Sequence, residues 1–313
     1  MSLILDHIDK SFESVQALKQ VNFEVKEGEL FGLIGPDGAG KSTLFRIMAS
    51  LLIPDSGRCS MLGYDVDKEY RQVRQIIGYM PGRFSLYMDL SVEENLAFYA
   101  RVFGTTIQEN YDLIKDIYEQ IAPFKKRLAG RLSGGMKQKL ALSCALIHRP
   151  RILILDEPTT GVDAVSRREF WDMLKKIQRE GITTVVSTPY MDEAELCDRV
   201  ALIQKGSLLA VADPSALAEG GEKLLYSLRS GKGVYAYLDQ IRQLEGCRYA
   251  WLFGDELHVT LRSAADDAGV KKVLDSWQDD SLKWESIVPS IEDRFMGLLQ
   301  EESDADSEME EGE

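Results

Sequence analysis

A chain of 313 residues, 44% of them hydrophobic, is long enough for two packed domains. It contains no apolar run near the roughly 18 residues needed to span a bilayer, and its start, MSLILDHIDKSF, meets acids too early for a signal peptide. The expected place is therefore the cytoplasm, peripheral to the membrane if a partner takes it there. Of the net charge of −14, eight units lie in the last 13 residues, EESDADSEMEEGE, and the remaining −6 offers no basic footprint for nucleic acid. The four cysteines are scattered without a CxxC pair, so neither a disulfide framework nor a zinc site is indicated.

In chain order, the first informative element is the apolar run Leu30 to Ile34, a buried-strand pattern, followed by helical apolar spacing over Lys41 to Leu52. Between them, Gly35-Pro36-Asp37-Gly38-Ala39-Gly40-Lys41-Ser42-Thr43 fits GxxxxGK[ST] at every fixed position. The glycines let backbone N–H groups approach phosphate oxygens, the helix start supplies positive potential, and Lys41 adds a full charge. The Ser42 hydroxyl is placed to hold Mg²⁺. A Gly-rich turn preceding a helix by chance would not need the lysine and serine, so an ATP-type phosphate site is the reading.

Val92 to Phe103 and Glu109 to Ile121 have helical spacing, and a further helix is expected over Met136 to Ile147. Arg151 to Leu155 is a second buried-strand run that delivers Asp156 and Glu157 at its carboxyl end. In phosphate-loop enzymes the first acid serves Mg²⁺ and the adjacent one polarises the attacking water, which assigns Asp156 to the metal and Glu157 to catalysis. An isolated Asp-Glu pair is usually a solvated turn; the phosphate loop upstream changes that reading.

The segment Leu132-Ser133-Gly134-Gly135-Met136 resembles the LSGGQ signature of the ABC ATPase family, departing at Met136. The resemblance covers about residues 3–213. It implies an ABC-type phosphate-loop α/β fold with an inserted helical subdomain at about 84–150 that meets a transmembrane permease. It also implies a head-to-tail dimer in which Ser133, Gly134 and Gly135 cap the ATP of the opposite subunit, with Phe12 against adenine and Asp163 in the loop crossing the interface.

Two further positions depart from the family pattern. Pro189, in Ser187-Thr188-Pro189-Tyr190, stands where the family has a histidine contacting the γ-phosphate, and Gly82 stands where it has a glutamine near the metal and the attacking water. Proline has no N–H and no side-chain donor, and glycine has no side chain at all. Loss of one positioned donor typically lowers a rate by ~10²–10³, about 3–4 kcal/mol. The expectation is a site that binds ATP but hydrolyses it poorly, in a chain paired with an intact subunit, a heterodimer being favoured over a homodimer. His7, His148 and His258 are each read as structural.

Past Asp213-Pro214, the pair Gly220-Gly221 reads as a linker, dividing an ATP-binding domain, 1–220, from an accessory domain, 221–300. The pattern strand 224–229, helix 234–244, hairpin 249–261 about Gly254-Asp255, helix 269–277, strand 282–288 is βαββαβ, a small α+β ferredoxin-like domain. Pro289 to Phe295 resembles the "PSLEDVF" ending of ABC-2 type exporter ATPases. The acidic tail, 301–313, is expected to be disordered. An exporter subunit is the main functional reading. A fully active homodimeric ABC ATPase and a non-transport ABC regulatory ATPase stay open, though the long coiled coils of ABC repair proteins and the paired domains of translation factors are missing.

Overall fold

Alternation of buried and exposed residues along β1 (Leu3–Phe12) and β2 (Val15–Val25) makes them strands with one wet face. β3 (Leu30–Ile34), by contrast, is buried at all five positions, the pattern of a strand covered on both sides. α1 (Lys41–Met48), β4 (Ser56–Met61), β5 (Tyr64–Asp65), α2 (Tyr70–Ile76) and β6 (Ile77–Met80) follow. A helical stretch of α3 (Val92–Val102), α4 (Tyr111–Ile121) and α5 (Gly134–Leu146) comes next, and then β7 (Ile152–Asp156), α6 (Ala164–Arg179), β8 (Thr183–Thr188), β9 (Arg199–Gln204) and β10 (Ser207–Ala212). The computed structural model describes residues 1–220, 224–277 and 279–310.

These elements form two sheets. β2-β1-β4-β5 is antiparallel, and β10-β9-β3-β8-β7-β6 is parallel except for its β10 edge. Phe31, Leu33, Phe45, Ile154 and Val185 belong to one buried cluster with Leu5 and Val21 of the other sheet. In the parallel sheet β8 lies between β3 and β7, with Leu33 and Asp156 both registered on Ser187. The loops after β3, β7 and β8 therefore open on one edge, where ligands of such sheets bind. α3 begins with a capping box, Ser91 with Glu94, and the buried Asn95 amide donates to the carbonyls of Tyr87, Leu90 and Ser91. α4 turns Ile114, Ile117 and Ile121 inward at helical spacing.

The chain divides into two compact units, Met1–Asp213 and Pro214–Glu313. The boundary falls before α7 (Pro214–Glu219) rather than after residue 220, because Pro214 opens a helix that packs on α10 (Ile291–Glu310) of the second unit. Gly220 follows this helix, while Gly221, the other half of the expected linker, lies outside the described residues. The second unit contains β11 (Leu225–Arg229), α8 (Leu238–Arg242), β12 (Cys247–Phe253), β13 (Glu256–Leu261), α9 (Asp266–Ser276) and β14 (Lys283–Ser286). Its sheet runs β12-β13-β11-β14, antiparallel throughout, which is the expected ferredoxin-like arrangement. The expected helix 234–244 is a three-ten turn, Tyr235–Tyr237, running into the short α8.

The tail corrects the disorder expected from 301 onward. α10 continues to Glu310, since nothing from Gln300 to that point is a proline or glycine and glutamate is a good helix former. Residues 311–313 lie outside the described residues. The Pro289 to Phe295 motif is the start of this helix, with Ser290 and Asp293 bonding reciprocally across its first turn.

Candidate nucleotide site

The loop from β3 to α1 owes its shape to its glycines. Gly38 and Gly40 have φ of 81° and 105°, and a Cβ on Gly40 would lie 2.5 Å from the Ala17 carbonyl oxygen. Lys41, only 3% exposed, donates to the Gly35 oxygen at 2.7 Å and the Pro36 oxygen at 2.9 Å, and its Nζ is 3.1 Å from Glu157 Oε1. α1 carries no acid in its first turn to cancel the positive potential there. A cavity of about 410 Å³ opens over Gly38, Gly40, Lys41, Ser42 and Thr43, with Glu157 on its wall. Lys19 and Lys205 line the same cavity and were not anticipated. The turn bearing Lys205 is tied in by Gly206 N donating to Ala39 O at 3.0 Å and Lys19 N donating to Gly206 O at 2.8 Å. Three lysines against one glutamate give a cavity suited to a polyphosphate.

The two acids arrive from β7 as expected. Asp156, 3% exposed, accepts from Ser42 Oγ at 3.1 Å and from Ser187 Oγ at 2.8 Å, both at Oδ1. Glu157 takes a left-handed backbone, φ 48°, a strain of about 1–3 kcal/mol in a non-glycine residue, and its N–H donates to Ser187 Oγ at 2.9 Å. The neighbouring Tyr79 hydroxyl is pushed up to about 12 by burial and by the charge of Asp156, so it stays protonated. One carboxylate beside one hydroxyl is a hard-oxygen donor set, which fits a divalent cation whose other ligands are phosphate oxygens and water. Ser42 and Asp156 would hold it.

An ABC transporter family model matches residues 18–160. The probable multidrug ABC transporter ATP-binding protein YbhF of Escherichia coli K12 is 44% identical over 212 residues, 67% of this chain and 37% of that protein. The linearmycin resistance ATP-binding protein LnrL of Bacillus subtilis 168 is 33% identical over 275 residues, 86% of this chain and 88% of that one. The chain belongs to the ABC transporter ATP-binding family. The Nod factor export ATP-binding protein I of Burkholderia lata is 39% identical over 216 residues, covering 68% of this chain and 71% of its own. Among solved structures, an ATP-binding subunit of an ABC transporter aligns with a TM-score of 0.64 at 26% identity over 70% of this chain and 93% of that one. A dimeric ATP-binding cassette in a post-hydrolysis state with ADP and Pi aligns at 0.61 and 26% over 67% and 98%. ATP-binding domains of this family are ATPases, and the cassette here has their fold. It spans little more than a third of YbhF's length but most of LnrL's.

Within the cassette, the signature stands apart from the cavity. Ser133 caps α5 by accepting from Met136 N at 3.4 Å, and a Cβ on Gly135 would lie 2.7 Å from Ser166 Oγ, so the signature packs on the start of α6. Asp163 caps α6, accepting from Ser166 N at 3.0 Å, a bond that holds its carboxyl below the usual range. Phe12 is 45% exposed under Lys10 and paired with Val15, whose side of the hairpin lines the cavity while Phe12 itself does not. Gly82 abuts Asp156: a Cβ there would lie 3.2 Å from the Asp156 carbonyl oxygen and 3.6 Å from Oδ2. Pro189 sits between two anchored residues. The buried Thr188 hydroxyl bonds Glu193, which also takes Thr159 Oγ1 at 3.1 Å and Arg167 Nε at 3.1 Å, and Arg167 lies 4.1 Å over the Tyr190 ring. Sequence reasoning missed this network and Ser187, because Ser, Thr and Glu at these separations form no motif. His148 is stacked on Phe103 and bonded to Ile77 O at 2.9 Å, and burial holds its pKa down.

Proposed function

We propose that this chain is the ATP-binding subunit of an ABC exporter. The observation that carries the reading is the convergence of Lys41, Ser42 and Glu157 on one cavity from two loops more than a hundred residues apart, with the buried Asp156 hydrogen-bonded to Ser42 beside it. ATP would lie with its phosphates on the 35–43 loop, Lys41 against them, Ser42 and Asp156 on Mg²⁺, and Glu157 aimed at the attacking water. The metal supplies charge neutralisation at the phosphates. Export is favoured by the relatives named for multidrug transport and Nod factor export.

The site is proposed to hydrolyse ATP slowly. Gly82 offers no group toward Asp156 Oδ2, and Pro189 offers no donor from the end of β8. A second ABC subunit, different from this chain, would then supply the competent catalytic site that Ser133, Gly134 and Gly135 complete across the interface near Asp163. The permease would dock on the helical stretch, where a groove of about 430 Å³ is lined by Tyr79, Phe84, Leu86, Tyr99 and Phe103. The chain would then sit on the cytoplasmic face of the membrane.

ATP binding and turnover measured on the purified chain, alone and with candidate partners, test this. The chain alone should bind ATP and turn it over slowly, and Lys41→Ala should weaken binding about 10- to 100-fold by removing charge-assisted hydrogen bonds. Cooperative turnover by the homodimer at ordinary transporter rates would overturn the slow-site proposal and favour a self-sufficient homodimer.

A further inference from the structure

Ser187 is fully buried at the centre of the site, on the strand that separates the phosphate loop from the two acids. Its single hydroxyl proton goes to Asp156 Oδ1 at 2.8 Å, and its oxygen accepts the Glu157 N–H at 2.9 Å. One side chain thus clamps the carboxylate of the first acid and the backbone of the second. The Glu157 clamp acts where the backbone is least comfortable, at φ 48°, and the side chain that leaves this residue reaches Lys41 Nζ at 3.1 Å. If its peptide turned to relieve the strain, it would forfeit the Ser187 bond and carry the carboxylate off the phosphate loop. On Asp156, Ser187 and Ser42 both occupy Oδ1, so Oδ2 is the oxygen left facing Gly82. Thr188 turns the other way, to Glu193, and Pro189 donates nothing. Ser187 is thus the hydroxyl by which β8 steers the acids.

We propose that Ser187 is a positioning residue, setting the orientation of Asp156 for a divalent cation and of Glu157 for bound ATP. The proposal rests on the reading of this cavity as an ATP site. The test titrates Mn²⁺ against ATP binding by the full-length chain, with the same binding measured in EDTA and thermal unfolding followed for each variant. Ser187→Ala should raise the Mn²⁺ needed for half-maximal ATP binding ~10-fold, the usual effect of removing a group that orients a metal ligand. Metal-free ATP binding, carried by the phosphate loop, should stay within about twofold of the parent on the same argument, and Ser187→Thr, which keeps the hydroxyl, should restore the Mn²⁺ response. An unchanged Mn²⁺ requirement in Ser187→Ala overturns the proposal. So does a parallel fall in metal-free binding and thermal stability that Ser187→Thr does not rescue, since that marks packing alone. A parent chain that binds no ATP with or without Mn²⁺ overturns the nucleotide reading itself, and this proposal with it.

Discussion

At Gly82 the first atom of any side chain would begin 3.6 Å from Asp156 Oδ2, so an amide placed there has that carboxylate within reach. The same atom would press to 3.2 Å on the Asp156 carbonyl oxygen, which asks the neighbour to yield only a few tenths of an ångström. Pro189 lies just past the end of β8, where it offers no side-chain donor. If these two residues limit the chemistry, Gly82→Gln with Pro189→His should raise single-chain ATP turnover. The gain should be ~10²-fold or more, the usual value of a positioned donor, with ATP affinity little changed. Steady-state turnover and equilibrium binding measured on the double variant check this. No gain in rate would mean that something other than these two residues limits the site.

Among the elements, α10 is held to its sheet by a buried ion pair rather than by apolar contact alone. His258 of β13 donates from Nδ1 to Asp293 Oδ1 at 2.5 Å, with Glu256 Oε1 3.5 Å from its other nitrogen and the Phe253 ring stacked on it. Glu256 is itself held at about 2, chiefly by its hydrogen bond from Arg229. Burial opposes charging His258, but the Asp293 and Glu256 carboxylates outweigh it, so its pKa lies above the ordinary 6.5. A raised histidine pKa contributes stability that is complete below about pH 6.5 and is lost as pH rises through the folded value. Asp293 works in the opposite sense: burial opposes its ionisation, the His258 bond outweighs that, and its contribution is lost only as pH falls below its ordinary 3.8. The thermal stability of the accessory domain, followed by tryptophan fluorescence, should therefore fall as pH rises above the ordinary histidine value of 6.5, and His258→Gln should flatten that dependence. His258→Ala should destabilise the domain by about 3 kcal/mol, because Asp293 is left buried without its partner.

For the whole molecule the question is which surface serves which site. In this chain Ser133 caps α5 and Gly135 packs on Ser166 at the start of α6, and the cavity over Lys41 is lined by neither; their action on another subunit's nucleotide is the proposal to test. In a complex with a catalytically intact partner, Ser133→Arg should abolish turnover while leaving ATP binding to this chain's own loop unchanged. Lys41→Ala should do the reverse, losing local binding and lowering the complex's turnover less. ATP binding and phosphate release measured on the reconstituted pair separate the two. Equal losses from both substitutions would show that the departing site takes a direct part in the cycle.

The phosphate loop, the acids after β7 and the βαββαβ order were legible in the sequence because each is a local matter. Glycines admit a tight backbone, four or five buried apolar residues in a row make a covered strand, and turn residues punctuate the rest. What the sequence could not disclose was who meets whom between strands. Ser187 acquires its place because the parallel sheet sets β8 between β3 and β7 in a register level with Asp156. Lys205 acquires its place because a hairpin turn is bonded to the phosphate loop, and His258 finds Asp293 because α10 folds back on the sheet. The fate of α7 followed the same rule, since it packs on α10, whereas the helix through residue 310 extends a local run without proline or glycine.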